Sequence, residues 1–433
     1  MASGAPTEAR DVPGTQHRPR VILLASPATY RAGAFFAAAD RLDLEVVRGI
    51  DLPLALAERC EAPLALDFAD REAAAARIAA FAAEQPVSAV LSLDDSATML
   101  AARAAAVLGL PHNDPDAALA AENKWVMREA LYRGGVPVPA FQRHALTVDP
   151  AAIAGDIPFP VVIKPTTLSG SRGVIRADTR EAFIAAWNRT RQIVLHAGET
   201  PDEGFLLVEQ YLPGVEVALE GLLTGGQLRT LALFDKPDPL EGPYFEETIY
   251  VTPSRLPEAT QTAISRRTAE AAAALGLREG PVHAELRIND EDLWLIEMAG
   301  RSIGGLCSTV LEFGAGISLE EIILRHAVGF PLPPPASRRP PQAAGVMMIP
   351  IPKSGMLRAV EGVEDAAATP GITGIEITAP LNQPLVALPE GASYLGFIFA
   401  RGETPEEAEA ALRAAHARLR FRIEPTINLV PRP

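Results

Sequence analysis

The sequence predicts a multi-domain protein of the α/β (α+β) class, in which a parallel sheet comes first and strand-rich segments follow. Between about residues 20 and 120, short apolar strands alternate with alanine-rich helices, a pattern typical of crossover connections in a parallel sheet. From about 155 to 235, strands follow one another across tight turns. The length of 433 residues, with 48% hydrophobic and 21% charged residues, allows two or three domains.

The N-terminal domain is predicted over residues 20–120. Its expected elements are strands at 20–25, 44–50 and 87–93 and helices at 32–42, 71–84 and 97–108. Gly109 is expected to end the last helix, and Asp94 and Asp95 follow the third strand, where ligands of parallel sheets bind. Residues 1–19 are small, polar and proline-bearing and have no apolar signal-peptide core, so we expect a disordered tail.

The remaining organisation follows from proline, glycine and strand patterns. The pattern of apolar and turn-forming residues changes after Asn113-Asp114-Pro115, and we therefore place the central domain at 121–330. The proline-dense run at 331–342 is typical of a stiff linker, and a C-terminal domain at 343–433 is expected to end with a helix over 404–419.

Composition restricts the partners and the location of the protein. The formal net charge of −15, from 54 acidic and 39 basic residues, gives no reason to expect binding to nucleic acid or to an anionic membrane. No segment reaches the roughly 18 apolar residues needed to span a bilayer. The two cysteines, Cys60 and Cys307, are far apart in sequence and indicate no disulfide framework. These features predict a cytoplasmic protein that binds phosphate-bearing ligands only in a locally basic pocket.

A first candidate binding motif is VVIKPTTLSGSRGVIRADT, from Val161 to Thr179. It predicts a strand that ends at Lys164, a loop rich in Ser, Thr and Gly, and a second strand. Backbone N–H groups of such a loop and one fixed lysine can share the oxygens of a triphosphate. The P-loop and dinucleotide-binding glycine motifs are absent, and a plain hairpin with a polar tip is the alternative interpretation.

A second motif is VEQYLPGVEVALEG, from Val208 to Gly221. Two strands are predicted to meet at Pro213-Gly214, and Glu216 and Glu220 share one face of the second strand because the strand period is two. Such a turn can present backbone groups to adenine and a carboxylate to ribose. A solvated acidic strand face is the alternative.

The third motif, GPVHAELRINDEDLWLIEMAGR, predicts a hairpin at 280–301. A three-residue loop, 290–292, would place Glu285 directly opposite Glu297. Two opposed carboxylates repel each other unless a cation lies between them, and Mg²⁺ bound by carboxylates and substrate phosphates is typical of ATP sites. Zinc is disfavoured because there is no HExxH motif or Cys/His cluster. On the same face, His283 is more simply explained as a satisfied structural histidine than as a ligand.

Taken in order, Lys124, VVIKP with its loop, VEQYLPGVEVALE, HAELR and IEMAGR resemble the ATP-grasp superfamily over about residues 20–430. The resemblance implies an N-terminal parallel-sheet α/β domain, a central two-sheet nucleotide-binding module, and a C-terminal mixed domain similar to that of L-amino acid ligases. It also implies a ligase that activates a carboxylate with ATP as an acylphosphate and joins it to an amine, with release of ADP and phosphate. Its substrates would be small-molecule acids and amines, namely amino acids, and a homodimer is an open alternative.

The resemblance implies roles for individual residues. It assigns ATP to Lys124, Lys164, Ser169, Gly170, Ser171, Gly173, Glu209, Gln210, Tyr211, Leu212 and Glu216. It assigns Mg²⁺, with Mn²⁺ as an alternative ion, to Glu285 and Glu297. The implied substrate set is Glu246, Glu247, His283, Arg301, Gly304 and Gly305, and Arg301 and Lys164 would act in catalysis.

One position departs from the family pattern. Many ATP-grasp enzymes have an asparagine ligand two residues after the second metal glutamate, whereas this chain has Ala299. Either Glu297 bridges two ions, or water completes one ion position. The functional alternatives are an ATP-grasp ligase or carboxylase of nucleotide or bicarbonate chemistry, and an ATP-binding protein without turnover.

Overall fold

The computed structural model describes residues 18–27, 29, 31–52, 64–313, 316–334 and 342–425. Most of the predicted tail, Cys60 and most of the predicted linker lie outside these residues. The predicted fold class is confirmed, because one parallel sheet is followed by antiparallel sheets and helices.

The N-terminal segment forms a four-stranded parallel sheet flanked by helices, as expected. Its elements are β1 (Arg20–Ala25), α1 (Ala32–Arg41), β2 (Glu45–Asp51), β3 (Leu64–Leu66), α2 (Arg71–Glu84), β4 (Ala89–Ser92) and α3 (Thr98–Leu108), with strand order β3-β2-β1-β4. Val21 and Leu23 pack into one core and Ile22 and Leu24 into another, so β1 is apolar on both faces. Gly109 ends α3 with a φ of 67°, as predicted.

A smaller antiparallel sheet follows. The chain forms α4 (Pro115–Glu122), α5 (Lys124–Arg133), β5 (Phe141–Ala145), α6 (Pro150–Ile153), β6 (Val161–Pro165), β7 (Ile175–Ala177), α7 (Arg180–His196) and β8 (Phe205–Gln210). The strand order is β5-β8-β6-β7, and α7 packs Phe183 and Trp187 against it. Thr179 caps α7 by accepting a hydrogen bond from the Ala182 N–H.

The rest of the chain builds a large antiparallel sheet and its cover. The elements are β9 (Val215–Thr224), β10 (Gln227–Lys236), β11 (Ile249–Thr252), α8 (Glu258–Leu275), β12 (Gly280–Ile288), β13 (Leu293–Ala299), β14 (Glu312–Phe313), β15 (Ile317–Ser318), α9 (Leu319–Ala327), β16 (Ala343–Ile349), β17 (Gly355–Glu361), α10 (Val363–Ala367), β18 (Ile372–Ile377), β19 (Pro384–Leu385), β20 (Gly396–Gly402), α11 (Pro405–His416) and β21 (Arg420–Glu424).

This large sheet has the order β13-β12-β9-β10-β11-β16-β20-β18, and β19-β17-β21 form a separate small sheet. The C-terminal strands β16, β20 and β18 therefore extend the same sheet as the central strands. The predicted domain boundaries stay predictions, but hydrogen bonding across the sheet continues from one segment into the other.

One of two predicted turns differs from the structure. Strands β8 and β9 meet at Pro213-Gly214 as predicted, and they belong to different sheets, so this segment connects the two sheets. The loop between β12 and β13 has four residues, Asn289 to Asp292, because the Asn289 side chain accepts hydrogen bonds from the N–H groups of Glu291 and Asp292. A bulge at Ile296 compensates, so the predicted pairing of residues 285 and 297 is confirmed.

None of the helices in the described part of the chain is both long enough and apolar enough to cross a membrane.

Candidate active site

Two adjoining cavities lie where the sheets meet. The inner cavity opens between β6 and β8 of the smaller sheet and β12 and β13 of the large sheet. The outer cavity extends from there toward the carboxyl ends of β1 and β4. Both are lined by Ser169, Ser171, Glu247, Glu285 and Glu297, so these residues mark the junction between the cavities.

One end of the inner cavity is apolar and narrow. It is lined by Pro139, Val162, Val174, Tyr211, Leu212, Leu240, Phe245 and Ile296. The ring centroids of Tyr211 and Phe245 are 6.5 Å apart, and the Arg176 guanidinium lies 3.9 Å from the Tyr211 centroid. Such a slot suits a planar heterocycle. All four residues predicted to line adenine, from Glu209 to Leu212, border this cavity.

The other end of the inner cavity carries buried cations. Lys164 Nζ lies 2.5 Å from Glu209 Oε2, and Arg128 Nε donates to Glu209 Oε1 at 2.6 Å. Burial opposes the charged form of Glu209, but Arg128 and Lys164 outweigh it and lower its pKa to about 2. Burial lowers the pKa of Lys164, since one carboxylate is shared by two cations. Lys124 and Lys164 both line the cavity here, so this end favours an anion.

Lys124 joins the cationic end to the strand that carries Glu297. It is the first residue of α5, whose N-terminus is capped by the Asn123 side chain. Its Nζ donates to the Leu168 carbonyl at 2.8 Å and to Glu297 Oε1 at 3.2 Å. The predicted phosphate lysines, Lys124 and Lys164, therefore both line the inner cavity.

The Ser/Gly loop between β6 and β7 borders the junction. Gly170, Ser171 and Gly173 have positive φ of 64°, 54° and 72°. Ser169 and Ser171 line both cavities and Gly170 lines the outer one, whereas Gly173 packs behind the loop, where its N–H donates to the Pro389 carbonyl at 2.8 Å. The C-terminal segment therefore holds the loop in place.

An acidic cluster occupies the junction. Glu216, Glu247 and Glu285 each offer a carboxylate oxygen, and these oxygens lie within 4.8 Å of one another. Lys236 Nζ lies 2.8 Å from Glu216, 2.5 Å from Glu247 and 3.4 Å from Glu285. Burial and the Glu285 charge raise the pKa of Glu247 to about 7, whereas Lys236 and His283 overcome burial and lower the pKa of Glu285.

The donor set of this cluster fits a divalent cation. Glu285 and Glu297 are opposite each other across β12 and β13, and the Glu297 side chain keeps 35% of its surface exposed. Carboxylate oxygens are the ligands that Mg²⁺ prefers in nucleotide sites. Ala299 supplies no ligand atom, but Glu247 offers a further carboxylate beside Glu285. Glu216 also pairs with Arg287 at 2.7 Å, so its predicted contact with ribose stays a prediction.

His283 is a buried and fully engaged histidine at the edge of the outer cavity. It contacts the carboxylate of Glu220 and, at 3.3 Å, that of Glu285. Burial disfavours its charged form, but the two carboxylates outweigh burial and raise its pKa to about 9. Glu220 also accepts a hydrogen bond from the Ile303 N–H at 3.0 Å, so this histidine holds the start of the glycine-rich segment.

The N-terminal domain contributes to the outer cavity. Arg301 donates to both oxygens of Asp95, from Nε at 2.5 Å and from Nη2 at 2.6 Å. Burial opposes both charges, but the pair interaction is stronger, so the pKa of Arg301 is raised and that of Asp95 is lowered. Arg31 reaches the same region and donates to Ser302 Oγ at 2.5 Å.

Of the remaining predicted substrate residues, some line the outer cavity and one does not. Gly304 lines the outer cavity, and an added Cβ there would meet no atom within 4 Å. Gly305 has a φ of 63°, and an added Cβ would lie 2.9 Å from Phe397. Glu247 borders both cavities, whereas Glu246 is half-buried beside the backbone of Ile351 and, among the described residues, lines neither of the two.

Four charged residues of this site were missed in the sequence. Lys236, Arg128 and Arg31 were unassigned, and Asp95 was noted only as following a strand. For Lys236 a signal existed, because the run LRTLALFDK ends an apolar strand with a lysine, as VVIKP does. For Arg128 and Arg31 no local pattern distinguishes the residue from an exposed arginine.

The chain is similar to known proteins over most of its length. Three family models match: an ATP-grasp N-terminal domain at residues 36–112, an ATP-grasp domain at 157–310, and an L-amino acid ligase C-terminal domain 2 at 347–424. The crystal structure of an L-amino acid ligase from Bacillus licheniformis is 25% identical with a TM-score of 0.79, and the match covers 95% of this chain and 100% of that one.

Two further similar proteins are a curated relative and a solved structure. Alanine–anticapsin ligase of Bacillus subtilis is 28% identical over 240 residues, which are 52% of this chain and 50% of that protein, so the match spans about half of each. Carboxyaminoimidazole ribonucleotide synthase of Aspergillus clavatus, solved with ATP, shares the fold at 18% identity with a TM-score of 0.70, over 93% of this chain and 99% of that one.

Proposed function

Because the chain belongs to the ATP-grasp superfamily, we propose that it is an ATP-dependent carboxylate–amine ligase that joins two amino acids. The names of two relatives, an L-amino acid ligase and an alanine–anticapsin ligase, support the amino acid substrates. The match of the C-terminal segment to an L-amino acid ligase domain supports the same branch of the superfamily.

The observation that carries the proposal is the junction between the two cavities. An apolar slot and buried lysines lie on one side of the Glu285–Glu297 pair, and Arg301 lies on the other. ATP in the inner cavity would direct its γ-phosphate toward an acid and an amine in the outer cavity. This arrangement suits phosphoryl transfer by positioning and charge neutralisation, without a covalent enzyme intermediate.

The reaction proceeds in two balanced steps. An oxygen of the substrate carboxylate attacks the γ-phosphorus of ATP, the bond to the β-phosphate oxygen breaks, and ADP leaves. The amine nitrogen then attacks the carbonyl carbon of the acylphosphate, phosphate leaves, and the nitrogen gives up a proton to form the amide. Arg301 steadies the carboxylate and the acylphosphate, while Lys124 and Lys164 hold the transferred charge.

Glu285 and Glu297, with Glu247 beside them, would hold Mg²⁺. When bound, the ion neutralises the phosphate oxygens of ATP. Lys236 lies among the same carboxylates and offsets part of their charge from the large sheet.

Phosphate release from ATP tests the proposal, measured with Mg²⁺ and pairs of amino acids. We expect release that requires both the ion and the amino acids. Glu297→Gln should abolish turnover, because it removes a metal carboxylate while keeping the side-chain shape. Arg301→Lys should cause a large loss although the charge is kept, since an ammonium does not reproduce the planar fork.

Two outcomes would contradict the proposal. No release above background across the full amino acid panel would reject the ligase activity. Wild-type turnover in Glu297→Gln would reject the assigned ion site. Asp156→Asn is a suitable control, because Asp156 is exposed and lies outside the linings of both cavities.

A further inference from the structure

One side of the outer cavity differs from the rest of its lining because it has no charged group. It is formed by Tyr250 of β11, Cys307, Met348 of β16 and Tyr394, and we call these residues the apolar wall. Tyr250, Cys307 and Met348 are 1–4% exposed, and the wall continues into a core that contains Phe397. The same cavity is also lined by Arg31, Asp95 and Arg301.

The apolar wall begins beside the residues assigned to activation. The Tyr250 hydroxyl donates to Glu247 Oε2 at 2.8 Å, and Glu247 belongs to the acidic cluster. Cys307 follows Gly304-Gly305, which leads away from Arg301 along the same cavity. The activated acid must bring its carboxylate to this junction, so its side chain would extend along the wall.

A charged side chain would have no partner at this wall. The side chains of the wall are two tyrosines, a cysteine and a methionine, which offer hydroxyl, thiol and thioether groups but no ammonium, guanidinium or carboxylate. The adjacent carboxylates are already engaged, Glu247 by Lys236 and Glu220 by His283. An ammonium or carboxylate placed against the wall would therefore lose hydration without gaining an ion pair from the side chains of the wall itself.

Resting on the proposed ligase activity, we infer that the apolar wall receives the side chain of the acid-donating amino acid, that this side chain is uncharged and apolar, and that Met348 limits its size. Met348 offers a flexible thioether surface that suits aliphatic and aromatic groups. Its backbone N–H donates to the Thr248 carbonyl at 2.7 Å, which fixes the side chain on the cavity face of β16.

The neighbouring methionine provides a matched control. Successive residues of a strand point to opposite faces, and Met347 packs against Ile398 and Leu412 on the far side of β16. Both methionines are 4% exposed. Met347→Ala removes the same atoms from the same strand and leaves the lining of the outer cavity unchanged.

The test isolates the acid by replacing the amine with hydroxylamine, which converts an acylphosphate to a hydroxamate. Wild-type protein with Mg²⁺ and ATP would receive Ala, Leu, Met, Phe, Lys or Glu as the single amino acid. We expect kcat/KM for methionine to exceed that for lysine, and kcat/KM for leucine to exceed that for glutamate, each by more than about tenfold. A pocket without a charged partner discriminates against a charged side chain. In Met348→Ala, the ratio of kcat/KM for phenylalanine to kcat/KM for alanine should rise by about tenfold or more, because the shorter side chain leaves room for a larger substrate. Met347→Ala should leave that ratio unchanged even if the fold is weakened.

The outcomes separate this inference from the proposed function. If no amino acid yields hydroxamate and no pair of amino acids releases phosphate, the ligase activity itself is rejected. The assignment of the apolar wall to the acid is rejected if lysine and methionine are used with equal kcat/KM. It is also rejected if Met348→Ala leaves the ratio of kcat/KM for phenylalanine and alanine unchanged. If Met348→Ala changes the preference for the amine substrate in dipeptide formation and not the preference for the acid, the assignment is rejected as well. The wall would then bind the side chain of the amine.

Discussion

Buried charges at the cavity junction are paired with one another. Glu209 is shared by Arg128 and Lys164, Lys236 contacts all three carboxylates of the acidic cluster, and Asp95 pairs with Arg301. Removing one member leaves its partner desolvated, which costs more than the lost contact itself. The exposed pairs elsewhere, such as Arg133 with Glu129, contribute much less because solvent screens them.

Asp95 is expected to act as a positioning residue for Arg301. In Asp95→Asn the bidentate acceptor becomes a neutral amide, so the guanidinium is no longer held in one orientation. We expect kcat for ligation to fall by about 10- to 100-fold, the equivalent of one charged hydrogen bond, with KM for ATP nearly unchanged. Steady-state phosphate release checks this, with Asp156→Asn as the control. Equal loss of kcat and ATP affinity would indicate a merely structural role.

Glu209 should make the stability of the protein depend on acidic pH. Its pKa is about 2 in the folded state, below the ordinary value of 4.5. The contribution of this carboxylate is therefore fully present above pH 4.5 and is lost as the pH falls through about 2. The free energy of unfolding in urea should be lower for Glu209→Gln than for wild type at pH 7, and the difference should narrow below pH 4.5. Glu84→Gln, at an exposed position, serves as control, and a gap that stays constant down to pH 3 would refute the assignment.

At the scale of elements, the β12–β13 hairpin carries most of the catalytic geometry. Its register was predictable because alternation and a polar turn restrict the pairing, even though the loop has four residues and a bulge. Helix α2 and strand β6 occur at the predicted residues for the same local reasons. The separation of β8 and β9 into two sheets was not predictable, because sheet membership depends on partners far along the chain. The same holds for Arg128 and Glu209, which pair across 81 positions.

The Ser/Gly loop should depend on the glycine at its far end. Gly173 has a φ of 72°, and an added Cβ would lie 2.9 Å from Pro165 Cγ. Gly173→Ala should therefore lower the free energy of unfolding by about 1–2 kcal/mol, the cost of a left-handed conformation for a residue with a side chain. It should also raise KM for ATP, since the strain displaces Ser169 and Ser171. Urea unfolding and ATP kinetics measure both effects.

Gly155→Ala is the matched control for this loop, because an added Cβ at Gly155 meets no atom within 4 Å. Its stability and its KM for ATP should equal those of wild type. If Gly173→Ala also matched wild type in both quantities, the conformation assigned to the loop would be wrong.

At the scale of the whole molecule, no single segment completes the site. The N-terminal domain provides Asp95, the smaller sheet provides Lys164, the large sheet provides the acidic cluster, and the C-terminal strands provide Met348. Arg31 donates to Ser302 and Arg41 to Glu321, so side chains of the N-terminal domain also bind the segment after β13 directly.

The continuity of the large sheet makes the C-terminal segment necessary for folding. Strand β11 pairs with β16 through Ile249–Met347 and Val251–Gly345, and Ile249, Tyr250 and Val251 are at most 2% exposed. A chain that stops at Pro334 would expose this apolar edge, and exposed apolar edges pair with other chains. We therefore expect the truncated protein to aggregate, as measured by size-exclusion chromatography, and co-expression of residues 342–433 to restore soluble material. A soluble, monomeric truncated chain with a cooperative thermal transition would show instead that residues 343–433 form an independent domain.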